Sequence, residues 1–124
     1  MWIFTTSGFV SAVRSQSDRT IIVRSRDRAS LAPISKKYKA EIKQTPLADY
    51  PYRVLIGHEK FIEWVSSEAS NIDYPNFKSQ VRISRGKRFA SALGEVWCIM
   101  LQVTEQLVDG DGLKSDPTSD PTEY

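Results

Sequence analysis

Apolar positions alternate with polar ones in short runs over the first third of the chain, and in the last third they recur at helical spacing. Trp2 to Thr6 is aromatic and β-branched, Ser7-Gly8 marks a turn, and Phe9 to Val13 resumes the pattern, so the opening reads as strand. Gln16-Ser17-Asp18 breaks it before Thr20-Ile21-Ile22-Val23-Arg24, which predicts an antiparallel hairpin between about residues 9–14 and 20–26. The two-residue period puts Arg24 and Arg26 on one side of that strand, opposite Val23. Ala40 to Thr45 and Tyr52 to Ile56 read as further strands around a loop from Pro46 to Pro51. In the second, Tyr52, Val54 and Ile56 share a face, with Arg53 and Leu55 on the other.

Helical spacing appears first in Leu31, Ile34 and Tyr38, behind either Asp27 or Ser30 as N-cap. Pro33 favours Ser30, because a proline is tolerated in the first turn and costs about 3 kcal/mol further in. Glu59 to Ala69 carries Phe61, Ile62, Trp64, Val65 and Ala69 as an amphipathic stripe. Asp73 can cap a short helix from Tyr74 to about Val81, with Pro75 in its first turn. The strongest periodicity is Phe89, Leu93, Val96, Trp97, Met100, Val103 and Leu107, expected as a long helix from about residue 87 to 107 that completes the core. Gly94 lies inside it and permits close approach of another element.

Together these elements predict an α+β domain of ferredoxin-like character, a small antiparallel sheet of four or five strands with helices on one face and a long C-terminal helix. The domain spans residues 1–108, and 109–124 is expected to be an acidic disordered tail with little to bury. Asp109-Gly110-Asp111-Gly112 has the look of a calcium loop, but Asp120 stands where the twelfth position requires glutamate, so that reading is rejected.

With 40% hydrophobic and 26% charged residues, the 124-residue chain has the composition of one globular domain able to bury its own core. No run of residues is apolar for long enough to span a membrane, and the first residues lack the order of a secretory signal, so a cytoplasmic protein is expected. Cys98, the single cysteine, falls in an apolar helical pattern and reads as a buried thiol. A single histidine, His58, leaves no metal set and no cofactor motif. The net charge of +2 conceals an asymmetry, since residues 109–124 hold five acids and Lys114, a net of −4, which leaves +6 on residues 1–108. That excess fits an anionic partner, although solubility alone also accounts for surface lysines and arginines.

A near-duplicated phrase is Asp49-Tyr50-Pro51-Tyr52-Arg53 and Asp73-Tyr74-Pro75-Asn76-Phe77-Lys78, each running acid, tyrosine, proline, aromatic, base. If both phrases meet beside Arg24 and Arg26, then Tyr50, Tyr74 and Phe77 offer ring faces while Arg53 and Lys78 offer donors. Such a surface suits a nucleotide or nucleic acid, because stacking on an aromatic ring is worth about 1–3 kcal/mol per base and arginine can bind phosphate through two N–H groups. The structural alternative is that the acids and prolines shape turns while Tyr52 and Phe77 fill the core. Arg82, Arg85, Lys87 and Arg88 form a second basic cluster at the start of the long helix, where free amides can also bind anions.

Catalytic patterns are lacking: no serine sits in a glycine-flanked elbow, and neither a Walker lysine nor dinucleotide glycine spacing follows Gly8. Catalysis is therefore left open, with binding favoured over turnover. If strand one is uncovered, Trp2 becomes an anchor for a protein partner, and an open strand edge could pair with a second copy to give a homodimer.

The opening Met1-Trp2-Ile3-Phe4-Thr5-Thr6-Ser7-Gly8-Phe9-Val10-Ser11, the strand Ile22-Val23-Arg24-Ser25-Arg26, both tyrosine-proline phrases and Val96-Trp97 together resemble a group of small uncharacterised proteins encoded by bacteriophages and bacteria. The resemblance covers residues 1 to about 105 and carries no assigned activity. It implies a phage or prophage setting in the host cytoplasm, where small non-catalytic proteins sequester or block components of host defence. Two expectations follow: a phosphate-bearing ligand held without turnover, or direct contact with a host protein. An enzyme acting on a nucleotide ranks behind both.

Overall fold

A computed structural model describes residues 1–16 and 19–110, with side chains described as far as residue 106. The centre of the expected first hairpin turn, Ser17-Asp18, and the tail from residue 111 onward lie outside the described residues. In chain order the elements are β1 (Trp2–Thr5), β2 (Gly8–Arg14), β3 (Thr20–Ser25), α1 (Arg28–Tyr38), β4 (Lys43–Gln44), β5 (Tyr52–Gly57), α2 (His58–Ser70), α3 (Phe77–Arg85) and α4 (Lys87–Gly110). The strands form one antiparallel sheet in the order β1-β2-β3-β5-β4. The class is α+β, as the sequence predicts. Within that class three consecutive strands precede the first helix, so the element order is not the β-α-β-β-α-β of ferredoxin-like folds.

Alternation sorts the strand residues into two faces. Ala12, Val23 and Val54 are paired across β2, β3 and β5 on the covered face, where Val10, Ile21 and Ile56 join them. Leu31 and Ile34 of α1 and Phe61 and Trp64 of α2 close over this layer. Leu31, Ile34, Val23 and Val54 are wholly excluded from water, and full burial of such side chains is worth about 1.5–3 kcal/mol each.

Local chemistry moved both expected N-caps. Asp27, not Ser30, caps α1, its carboxylate accepting from the Ser30 amide at 2.7 Å. Pro33 therefore lies within α1 rather than in its first turn, and burial of Leu31 and Ile34 holds the helix together around it. Asn76, not Asp73, caps α3, accepting from the Ser79 amide at 2.9 Å and leaving Pro75 ahead of the helix. The expected strand Ala40 to Thr45 is reduced to Lys43–Gln44 on the sheet edge.

The turn between β1 and β2 is fastened from below. Gly8 has φ +145°, and a Cβ built there would lie 2.1 Å from the Ser30 hydroxyl and 2.5 Å from an Arg85 guanidinium nitrogen, so only glycine fits. Arg85 donates to the Ser7 carbonyl at 2.6 Å and to the Ser30 hydroxyl at 3.2 Å, and pairs with Asp27 at 3.2 Å. The Ser84 hydroxyl donates to the Thr6 carbonyl beside it.

Helix α4 does not complete the core as its periodicity suggests. It packs chiefly on α3, and among the described residues of its apolar stripe Leu93 alone is buried, while Phe89 is half-buried and Val96, Trp97, Met100 and Val103 are exposed. From Val96 to Val103 every residue of the helix is exposed, so most of its apolar stripe is left uncovered by the rest of the domain. Cys98 is accordingly exposed, correcting its reading as a buried thiol. No helix among the described residues is long and apolar enough to cross a membrane.

Candidate functional site: the open face of the sheet

The sheet face turned away from α1 and α2 presents an ordered row. Trp2 pairs with Ser11, Ser11 with Arg24, Arg24 with Arg53, and Arg53 with Lys43, so one line of side chains crosses all five strands. Adjacent strands lie about 4.8 Å apart, which sets Arg24, Arg53 and Lys43 as three successive cations. None of them is in an ion pair among the described residues. Like charges directly opposite on a sheet destabilise it by roughly 0.2–1 kcal/mol per pair, so this arrangement costs the free protein stability.

The two arginines are held by neutral groups. Arg24 donates from Nη2 to the Ser11 hydroxyl at 2.8 Å, and its guanidinium lies 4.7 Å from the Tyr50 ring centre. Arg53 donates from Nη2 to the Thr45 hydroxyl at 2.7 Å. The Nε of each is buried without a hydrogen-bond partner. Hydroxyls and a ring orient the guanidinium groups but leave their charge in place, as an anion site requires.

Beside the cationic row runs an aromatic ladder. Phe4 stacks on Phe9 with centroids 4.6 Å apart, Trp2 meets Phe9 edge-on at 5.7 Å, and Phe9 lies 6.5 Å from Tyr50. Between this ladder and Phe89, Ala92, Leu93 and Val96 of α4 lies a groove of about 380 Å³, with Arg26 and Asp27 on its rim. Its size and largely apolar lining with a few polar groups are those of a small-molecule site.

Of the residues singled out in the sequence, Arg24, Arg26, Tyr50 and Arg53 come together on this face. Tyr50 is buried to 9% exposure, with Arg24 on its ring and Arg26 at 5.3 Å, so it positions arginines rather than offering a free ring. Arg26 is paired with Asp49 at 3.2 Å, both side chains exposed. The second phrase builds a different cluster. Tyr74 lies 6.0 Å from Phe77, and Lys78 sits 5.3 Å above the Trp97 ring, beside a cleft that shares Phe4, Leu93 and Val96 with the groove. The phrases thus flank Phe4 from two sides instead of forming one surface.

The second basic cluster divides as well. Arg85 is consumed by Ser7, Ser30, Asp27 and the ring of Phe89, and is withdrawn as a ligand group. Arg82, Lys87 and Arg88 are exposed. Burial pushes the Asp27 carboxyl up, but hydrogen bonds from Ser30 and the Arg85 guanidinium outweigh it and hold the group below its ordinary value.

Lys43, Ser11, Phe4 and Phe9 were not recognised from the sequence as site residues. Trp2-x-Phe4 and Phe9-x-Ser11 do show the two-residue period that aligns them, but pairing Lys43 with Arg53 required the register of β4. The class defined here is a small α+β domain with an open cationic and aromatic sheet face. Comparison with protein-family models, with curated proteins and with solved structures found no match to the chain.

Proposed function

We propose that the open sheet face binds a phosphate-bearing ligand, a nucleotide or a nucleic acid strand, without chemical turnover. The observation that carries this reading is the row of Arg24, Arg53 and Lys43, three cations set side by side with no carboxylate among them. Phosphate oxygens would supply the missing negative charge, and the planar part of the ligand would lie against Trp2 or in the groove beside Phe4 and Phe9. In the phage setting implied by the resemblance, such binding would withhold the ligand from host defence.

Fluorescence polarisation with a labelled ten-nucleotide single strand, repeated over a range of salt, tests the reading. Three cations engaging three phosphates give a log-log salt slope of about −2. Arg24→Ala or Arg53→Ala should weaken binding at least tenfold, and Arg82→Ala should leave it unchanged. Equal loss in all three variants would mean diffuse charge rather than a site.

A second reading, contact with a host protein, takes its support from the exposed apolar flank of α4. Capture of a host protein that persists in Arg24→Ala and Arg53→Ala variants would favour it.

A further inference from the structure

Two clefts of about 380 Å³ each meet at Phe4, Leu93 and Val96. One is the groove beside the aromatic ladder, and it is lined by Tyr50, on whose ring Arg24 lies at 4.7 Å. The other continues beyond Phe4 to Phe77 and Trp97, where Lys78 stands 5.3 Å above the Trp97 ring. Lys78 is exposed and, among the described residues, in no ion pair. The row of Arg24, Arg53 and Lys43 and the two clefts therefore form one track, with cations that no carboxylate neutralises at both ends and aromatic walls between them.

The length of this track sets the size of ligand it takes. From Lys43 on β4 to Phe4 on β1 it crosses four strand spacings, about 19 Å, and the second cleft lies further on. A stacked nucleic acid strand advances about 3.4 Å per nucleotide, so several nucleotides fit along it. A mononucleotide has one base for two clefts and carries its phosphates together at one end, which leaves either the row or Lys78 unmatched. A duplex keeps its bases paired and stacked, so no base face is free to meet the aromatic walls. A single strand brings unstacked bases and spaced phosphates at once.

We propose that the ligand of this face is a single-stranded nucleic acid, its bases in the clefts on either side of Phe4 and its phosphates spread from the Arg24-Arg53-Lys43 row to Lys78. The inference rests on the phosphate-binding reading and extends the site into the second cleft.

Fluorescence polarisation of a labelled ten-thymidine DNA strand on the full chain, with unlabelled competitors, tests it. The row alone gives a log-log salt slope of about −2, and Lys78 adds about −0.7, so wild type should give nearly −3 and Lys78→Ala about −2. Phe4→Leu, its fold checked by circular dichroism, should weaken binding about fivefold or more at unchanged slope. The unlabelled strand should compete at least tenfold better than thymidine triphosphate or a ten-base-pair hairpin duplex. Ten-uridine RNA in the same series tells which kind of strand is preferred, and either preference agrees with the proposal. Triphosphate or duplex competing as well as the strand overturns it, as does binding indifferent to Lys78→Ala and Phe4→Leu. If Arg24→Ala and Arg53→Ala still weaken binding in that case, the anion site itself stands; binding indifferent to those two as well refutes both.

Discussion

Replacing Arg53 by methionine separates an arginine kept for a ligand from one kept for the fold. The change retains most of the apolar stem and removes the charge. It relieves the opposition to Arg24, worth roughly 0.2–1 kcal/mol, and eliminates a buried Nε donor with no partner, which costs about 1–3 kcal/mol where water is fully excluded. Against this stands loss of the hydrogen bond to Thr45, net about 1 kcal/mol for such bonds. The free variant should therefore be more stable by about 1 kcal/mol, a rise of roughly 4 °C in Tm for a domain of this length. Wild type should gain about 2.7 kcal/mol from a ligand at one hundred times its Kd, while the variant should gain almost nothing. Differential scanning fluorimetry with and without a ten-nucleotide single strand reads both quantities. A variant less stable than wild type, or one that the oligonucleotide still stabilises equally, refutes the assignment of Arg53 to an anion site.

Other consequences of the packing are measurable by urea unfolding. Gly8→Ala should cost about 3 kcal/mol, from backbone strain and displaced Arg85 and Ser30 bonds, while Gly86→Ala, at φ +91° with open space around it, should cost only about 1–2 kcal/mol of strain; equal losses would discount the fastening of the turn. Because the Asp27 carboxyl is held below its ordinary value, its contribution is complete above the unfolded value near pH 4 and is lost as pH falls through the folded one. Asp27→Ala should flatten that acid limb, and a limb of unchanged slope would shift the effect to other carboxyls. Burial raises the Glu68 carboxyl, with Lys37 opposing only in part, so its contribution is present below the unfolded value and lost as pH rises through the folded one. Glu68→Gln should thus stabilise the protein at neutral pH by a few tenths of a kcal/mol, since the half-buried group remains partly solvated, and should have no such effect at pH 3.

Period-two and period-3.6 patterning determined, without coordinates, which segments become strand or helix and which strand residues share a face, because both depend on neighbours within a few positions. Arg24 and Arg26 opposite Val23, and Arg53 opposite Val54, were legible in that way. The caps were less so: Asp27 and Ser30 both have capping chemistry, and the choice fell to Asp27 because the Ser30 hydroxyl is engaged by Arg85 and the Phe9 amide, far away in sequence. Tertiary structure alone decided that Arg24, Arg53 and Lys43 share one row, since the register of β3 on β5 depends on pairings between residues up to 37 positions apart. It also separated the two tyrosine-proline phrases and left most of the strongest apolar stripe uncovered. A hydrophobic pattern records that a helix face must be covered, and only the lengths and placement of the other elements determine whether the same molecule can cover it.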